Sequence, residues 1–546
     1  MVPLINEAVN FRVTTKSIES SKLQDVMPEL LSTLPSRGTC DQALEGYLRT
    51  FEQIFRVLHI PTFRHEYEQF WTNPECAPTA FVLKLVLIVT IGGVLIADRA
   101  VSDEIRRLAR GWTYAAQWWI MGPTEREAMN LNGVQVFCLL ILAREVNSLG
   151  GAASIATESL LKLAFTIGLH LDPSTFHPLP ILQIELRRRL WITVVEITVL
   201  TSLDSTLPLS LLVSTFKPKP PTNISDEDLD PESQPDVRLA TNGIKTDCSL
   251  QLLLLKSLPL RIQIVNQLNN VHGEHSYERA LEFGNKLISH CRDIATHFDK
   301  ETSHHDSGQF HRKFLDTYMR RLILFVHRPF SLQSRRDPRF FLSRKICLES
   351  SLITVAYAEN MNLPYGPSDD FSRMCIRGSG LFKGGLSSDA ISAIGAEIIT
   401  QVEEETGSRA PGSSVATTSD PLVRLSRMNR EPLMRRLEHV HEQLRQIIAL
   451  GRPSTKRYIF TSGVLAQIKA MEAGEDPKPM VLEALKDGLR ECVSLFRELV
   501  RENGNFIGAP TPAMTDDSNS FAFEGMNWFG FDFGSLVGIS FTTLGE

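Results

Sequence analysis

The sequence predicts an all-α protein of packed helix pairs in a multi-helix domain, followed by a flexible acidic-aromatic C-terminal tail. Three observations lead there. Apolar residues recur at helical spacing through most of the chain. No strand-like alternation closed by hairpin turns stands out, and no repeat of fixed period is evident. After Arg501 the composition changes abruptly, with no Lys or Arg and a run of aromatics among acidic residues.

Length and composition set the class. With 546 residues, 43% hydrophobic and 22% charged, the chain is an ordinary globular sequence large enough for several sub-bundles. Of its 63 acidic residues six follow Arg501, which leaves 57 charges of each sign up to and including it. A neutral body has no overall electrostatic pull on a nucleic-acid backbone. Met1–Phe11 shows no basic segment leading into an apolar run, so no secretory signal is read there. The eight cysteines are dispersed, with no C-x-x-C, so they cannot build a zinc cluster or a redox motif locally. Scattered on apolar faces, they suit a reducing intracellular compartment.

In order along the chain, Leu23, Val26, Met27, Leu30, Leu31 and Leu34 keep helical spacing, with a capping box at Ser21 and Gln24 and a kink at Pro28. Leu44, Tyr47, Leu48, Phe51, Phe55 and Leu58 mark one apolar helical face that Pro61 ends. Phe81–Ala97 is the longest apolar stretch, interrupted by Lys84 and by Gly92 and Gly93. It falls short of the ~20 residues a membrane span needs and reads as a buried helix. Helices follow at Ser102–Ile120 and Thr124–Asn147, and Gly150 and Gly151 separate them from the central stretch. There Leu160, Leu163, Ala164, Ile167, Gly168 and Leu171 share a face, stopped by Asp172 and Pro173. Arg187-Arg188-Arg189-Leu190-Trp191 opens an apolar run to Leu200 whose only charge is Glu196. Lys217–Val237, rich in Pro, Asp and Glu and without periodicity, reads as a surface connection. Helical patterning resumes at Leu250–Leu268 and Glu278–Phe298, and again at Pro432–Leu450, Tyr458–Ala473 and Val481–Glu502. Thr406–Asp420, rich in Gly, Ser, Thr and Pro, reads as a flexible linker.

Several of these stretches resemble fungal binuclear zinc-cluster transcription factors, in their middle homology region. Tyr47–Glu52 leading to Leu58-His59-Ile60-Pro61-Thr62-Phe63 is similar to the family's opening signature, an aromatic helix entering an H-I-P-x-F turn. Gly168–Pro173, Arg187–Trp191 and Pro221–Leu229 resemble its G-L-H-x-D-P, R-R-R-L-W and P-x-N-x-x-D-E-D-L elements, in that order. Tyr318–Leu322, His327–Phe330 and Asp337–Lys345 match its R-R-x-L, H-R-P-F and D-P-R-x-x-x-S-R-K pattern. Ile192 and Ile197 stand where the family usually has an aromatic and a charged residue. The likeness covers roughly 35–401. It implies a helical regulatory domain at 39–405, after a short segment at 1–38. The linker is then 406–421, C-terminal helices that pack on the core occupy 422–502, and the tail is 503–546.

Local enzyme motifs fail. His441-Glu442 would need a histidine at 445, where Arg445 stands, and Gly378–Gly384 misses the dinucleotide spacing by one residue. His297, His304, His305, Asp306 and His311 are a zinc-competent composition, but Lys300, Ser303, Ser307 and Gly308 make the stretch read as a solvated loop. Arg187–Arg189 reads as structural pairing, with Glu185 or Asp226–Asp228, rather than phosphate contact. No catalytic, cofactor-binding, metal-ligating or DNA-contacting residue is identified, and no cofactor is expected. The tail is the candidate functional segment: Phe521, Phe523, Trp528, Phe529, Phe531 and Phe533 alternate with Asp516, Asp517, Glu524 and Asp532. That is the composition of an acidic-hydrophobic activation domain, able to fold into a partner's groove.

The resemblance implies a nuclear regulator of RNA polymerase II transcription, of a fungal secondary-metabolite biosynthetic gene cluster. The tail would contact the transcription machinery or a co-activator. Without a zinc cluster in this sequence, direct DNA contact is doubtful. Either the chain acts through a DNA-bound regulator or as a homodimer, or its N-terminus was lost or misassigned. No membrane contact is expected. The rival reading is a helical small-molecule-binding protein or enzyme of the same pathway.

Overall fold

The computed structural model describes residues 27–122, 125–149, 153–173, 179–209, 219–229, 245–270, 276–299, 306–358, 369–407, 421–451 and 454–502. Among them every regular element is a helix. The chain divides into two compact units. One is Met1–Glu274 with Arg292–Leu315 and Arg377–Phe382; the other is His275–Cys291 with Asp316–Ile376 and Lys383–Glu546.

The first unit opens with α1 (Met27–Ser32), α2 (Arg37–Arg49), the single turn α3 (Phe51–Ile54) and α4 (Ile60–Thr72). Then come α5 (Thr79–Gly92), α6 (Arg99–Met121), α7 (Leu131–Asn147), α8 (Ala153–Thr166), α9 (Ile181–Ser205), α10 (Ser249–Leu255) and α11 (Leu258–Leu268). Helix α5 is apolar on every side and is buried from Phe81 to Gly92. A helix without a polar face must be surrounded, and α2, α6 and α7 enclose it. Gly92 permits the crossing with α2: a Cβ there would lie 1.8 Å from the Ala43 carbonyl oxygen. Helix α9 is buried from Arg189 to Leu203, packed on α7, α8 and α11. Among the described residues no helix is long and apolar enough to cross a membrane.

The structure corrects four expectations in this unit. The helical face expected over 44–58 breaks at Thr50, whose φ of −121° and ψ of −81° leave the helical region. Its hydroxyl donates to the Gly46 carbonyl, and its own carbonyl is within 3.1 Å of His311 Nε2, so a distant side chain takes the acceptor a continuing helix would use. Pro61 therefore ends nothing: it sits in the first turn of α4, where a proline costs no hydrogen bond. Helix α8 ends at Thr166 instead of reaching Asp172. Gly168 takes a left-handed φ of 69° and Leu169 N–H closes back on the Ala164 carbonyl at 2.9 Å, a glycine-terminated cap. The 250–268 helix is two, α10 and α11, parted at Lys256 and Ser257. Finally, the described part of Lys217–Val237 is not a surface connection, because Ile224, Asp226 and Leu229 are buried.

In the C-terminal half, α12 is Tyr277–Asp299, α13 Asp306–Gln333, α14 Phe341–Ala356, α15 Asp370–Arg377, α16 Ser388–Gly407, α17 Pro421–Ala449, α18 Thr455–Ala473 and α19 Pro477–Glu502. The histidine-rich stretch is thus not one loop: His297 belongs to α12, and His311 is buried on α13. Helix α17 begins eleven residues before the expected Pro432, which it carries internally.

In the second unit α14 packs on α16, α16 on α17 and α18, and α18 on α19. The D-P-R-x-x-x-S-R-K residues are its fasteners. Asp337 accepts from Arg339 N–H, and Arg344 bridges Glu397 and Glu404 of α16. Ser343 Oγ meets His327 Nδ1 at 2.9 Å. His327 is wholly buried, and burial pushes its pKa down to about 4. The folded ring stays neutral until about pH 4, while an unfolded histidine takes a proton near 6.5. Stability is full above 6.5 and falls as pH drops toward 4. Between pH 7 and pH 5 His327 should cost the second unit about 2 kcal/mol, and His327→Gln should flatten that slope. Urea unfolding at both pH values checks it; equal slopes for the two proteins would rule out a neutral buried ring.

Candidate functional site

Three of the singled-out stretches meet at one carboxylate in the first unit, Asp226. Arg56 reaches it from the chain after α3, and Arg189 from the third turn of α9. Both guanidinium groups donate to Asp226 Oδ1, and Ile60 N–H donates to Oδ2 at 2.8 Å. The Asp226 carbonyl lies 3.0 Å from His59 Nε2, and its own N–H donates to Asp247 Oδ2 at 2.9 Å. Arg189 Nη2 also donates to the Ile224 carbonyl. Burial opposes ionisation of Asp226, yet Arg56 and Arg189 beside it hold its pKa below the usual carboxylate range.

A second carboxylate completes the cluster. Glu52 accepts from Leu58 N–H at 2.9 Å and from Tyr47 Oη at 2.7 Å, with Arg56 Nη1 at 3.7 Å. Here burial outweighs Arg56 and the two donors and pushes the carboxyl up to about 7. Next along α9, Glu185 accepts from Arg188, Thr222 N–H and Thr222 Oγ1, and Arg188 also reaches Asp172. Deeper in the same helix, Glu196 forms a two-pronged pair with Arg261 of α11. The expected pairing of the arginine triplet with Glu185 and Asp226 is what the structure contains.

Arg56, Arg189, Glu52 and Asp226 pair with one another out of contact with solvent, although Arg56 Nε and Nη1 and Arg189 Nε make no hydrogen bond among the described residues, so the cluster holds segments together and presents nothing to a substrate. The H-I-P-x-F turn shows the division of labour: His59 and Ile60 bind Asp226, Pro61 starts α4, and Phe63 packs its ring 5.4 Å from Phe81. A phenylalanine cluster closes the other side, Phe51 on Phe310, Phe55 on Phe314, and Phe314 on Phe382.

Arg187 departs from its neighbours. It faces a cavity of about 710 Å³ framed by α4, α5, α7 and the start of α9, which Lys84 and Gln135 also line. No sequence signal located that cavity, since its walls come from residues more than a hundred positions apart.

Among the described residues no group of three or more His, Cys, Asp or Glu is placed to hold a metal ion. Seven cysteines are buried and Cys76 is exposed, all as free thiols. Burial pushes Cys40, Cys291 and Cys347 up to about 12, which keeps them protonated and unreactive at neutral pH. The candidate activation residues Phe521, Phe523, Trp528, Phe529, Phe531 and Phe533 lie outside the described residues.

Residues 44–258 match the family described as the fungal specific transcription factor domain, and these are the residues that converge on Asp226. Over those residues the chain carries that domain. It is 45% identical over 502 residues to "Transcription factor opdR" of Penicillium oxalicum, covering 90% of this chain and 63% of that protein. It is 31% identical over 482 residues to "Transcription factor lepE" of Aspergillus flavus, covering 87% and 56%. It is 26% identical over 494 residues to "Aspyridones cluster regulator apdR" of Emericella nidulans, covering 87% and 61%. The chain therefore spans roughly three-fifths of the length of the curated relatives it matches. No solved structure matches it.

Proposed function

We propose that this chain is a nuclear regulator of RNA polymerase II transcription that controls a fungal secondary-metabolite biosynthetic gene cluster, and that it is not an enzyme. What supports the reading most is the similarity, along most of the chain, to proteins named as transcription factors and, in one, as a cluster regulator. The helical body is the regulatory part. Its cysteines occur singly and cannot supply a six-cysteine cluster, so sequence-specific contact with a promoter depends on a DNA-bound partner or on residues beyond this sequence.

The tail carries activation in this reading. Acidic groups keep Trp528 and the neighbouring phenylalanines in water, and those aromatics supply nearly all the area a partner groove can bury. The test fuses the whole chain to a foreign DNA-binding domain and reads a reporter gene. Activation is the expected result. Replacing Trp528, Phe529, Phe531 and Phe533 by Ala should abolish it without lowering the melting temperature of the body. Replacing Asp516 and Asp517 by Asn should weaken it only in part. If the aromatic variant destabilises the body, the tail is a docked structural segment. If the fusion is silent and the body is stable, the activator reading is wrong.

A further inference from the structure

The cavity in the first unit is built for charge as well as for shape. Its volume, about 710 Å³, suits a small organic molecule. Leu131, Ile167, Leu182 and Leu186 give it apolar walls. Its charged groups are unbalanced: Lys84 and Arg187 are cationic, and Glu66 is the one carboxylate among the described lining residues.

Lys84 is the decisive group. It interrupts the all-apolar α5, is only 6% exposed, and still lies on the cavity wall. Nζ donates to Asn132 Oδ1 at 3.1 Å and meets Gln135 Oε1 at 3.5 Å. Gln135 is fixed in that orientation because its Nε2 donates to the Val57 carbonyl at 2.7 Å. The nearest carboxylate oxygen, from Glu66, is 3.9 Å away on a side chain that is 41% exposed. A buried ammonium is stable when an anion pairs with it at close range, and the surrounding protein offers neutral amides and one distant, wet carboxylate. Burial accordingly lowers the Lys84 pKa, with Glu66 opposing.

Two further features have the same sign. Arg187 touches only the Ile167 carbonyl, at 3.5 Å, and makes no ion pair among the described residues. The first turns of two long helices also line the cavity: Leu131 and Asn132 of α7, and Leu182 and Gln183 of α9. Pro180, which precedes α9, gives it no side-chain cap, whereas Asn130 caps α7 by accepting from Gly133 N–H. Helix N-termini carry partial positive charge and free N–H groups.

We propose that this cavity binds a small organic anion of the carboxylate class, its charged end on the Lys84 ammonium with Arg187 as second cation and its apolar body against Ile167, Leu182 and Leu186. The site is independent of the transcriptional reading and adds to it a place where a metabolite could be received.

The test uses the full 546-residue chain and two probes of equal shape, decanoate and its neutral amide decanamide, in titration calorimetry at low salt. Decanoate should bind at least tenfold more tightly than decanamide. Lys84→Met should weaken decanoate at least tenfold and leave decanamide unchanged, and Arg187→Gln should weaken decanoate by a smaller factor. Melting curves of both variants establish that they fold. Absence of decanoate binding overturns the proposal. So does equal affinity for the two probes, which would make the cavity a plain apolar slot. Undiminished decanoate binding by both variants overturns it as well, by placing the anion elsewhere. The assay reads binding alone, so none of these outcomes bears on the reporter experiment.

Discussion

Asp226→Asn should destabilise the first unit by about 3–5 kcal/mol, the cost of stripping the partner from a buried ion pair. The substitution keeps the shape of the side chain and removes only its charge. Arg56 and Arg189 are both essentially without solvent contact; Arg56 would keep only the longer contact to Glu52, which burial pushes toward the neutral form, and Arg189 would lose its ion pair. Water cannot reach either guanidinium to compensate. Much of the loss should return when one cation is also removed, so Asp226→Asn with Arg189→Met should be more stable than Asp226→Asn alone. The pH dependence has a defined sign. Because the folded carboxyl titrates below its ordinary value, its contribution is full above about pH 4 and is lost as pH falls through the folded pKa. Urea unfolding followed by a probe in the first unit measures all three. A loss under about 1 kcal/mol for Asp226→Asn would mean that the cluster is hydrated and does not tie the segments together.

How much of this was legible in the sequence differs from group to group. The arginine triplet and the acidic exit segment announced their pairing, because a run of like charges beside an apolar helix needs opposite charges nearby. The same exit segment reads as surface from its sequence, since polar composition without periodicity normally means exposure. What composition cannot show is that Asp226 is enclosed by two arginines, one of them 170 residues away. Arg56 gave no signal within its aromatic stretch, and Arg261 gave none within an apolar one. Helix ends were legible where a local residue dictates them. Gly168 carried such a signal, and Asp172-Pro173 beside it masked it. The break at Thr50 had no local sign, because it depends on His311, 261 residues on. Lys84 looked like a mere interruption of an apolar run. Only folding brings Asn132 and Arg187 to the same cavity, and only then does an amine without a close counter-ion become visible.

Trp191→Ala should cost about 3–5 kcal/mol, the range for deleting a large aromatic from a packed core. Trp191 is 4% exposed and stands on α9 two residues after Arg189, so its backbone is already pinned by the Asp226 cluster. Its ring meets the edges of Phe165, with centroids 5.6 Å apart, and of His170 at 6.2 Å. Those two rings touch each other at 4.7 Å and come from either side of the left-handed Gly168. Removing the indole therefore deprives the end of α8 of its main apolar support and leaves a void lined by rings whose backbones are held by a helix and a cap. Phe165 is 40% exposed, so its ring can relax into part of the void, which places the cost in the lower part of the range. The melting temperature should drop by roughly 6 °C or more for a unit of this size. Trp191→Phe should lose less, about 1–2 kcal/mol, because most of the apolar volume stays. Added indole should raise the melting temperature of Trp191→Ala and not that of the wild type, since it can occupy the void the substitution leaves. If Trp191→Ala melts within ~1 °C of wild type, or indole stabilises both proteins alike, the ring does not support the junction of α8 and α9.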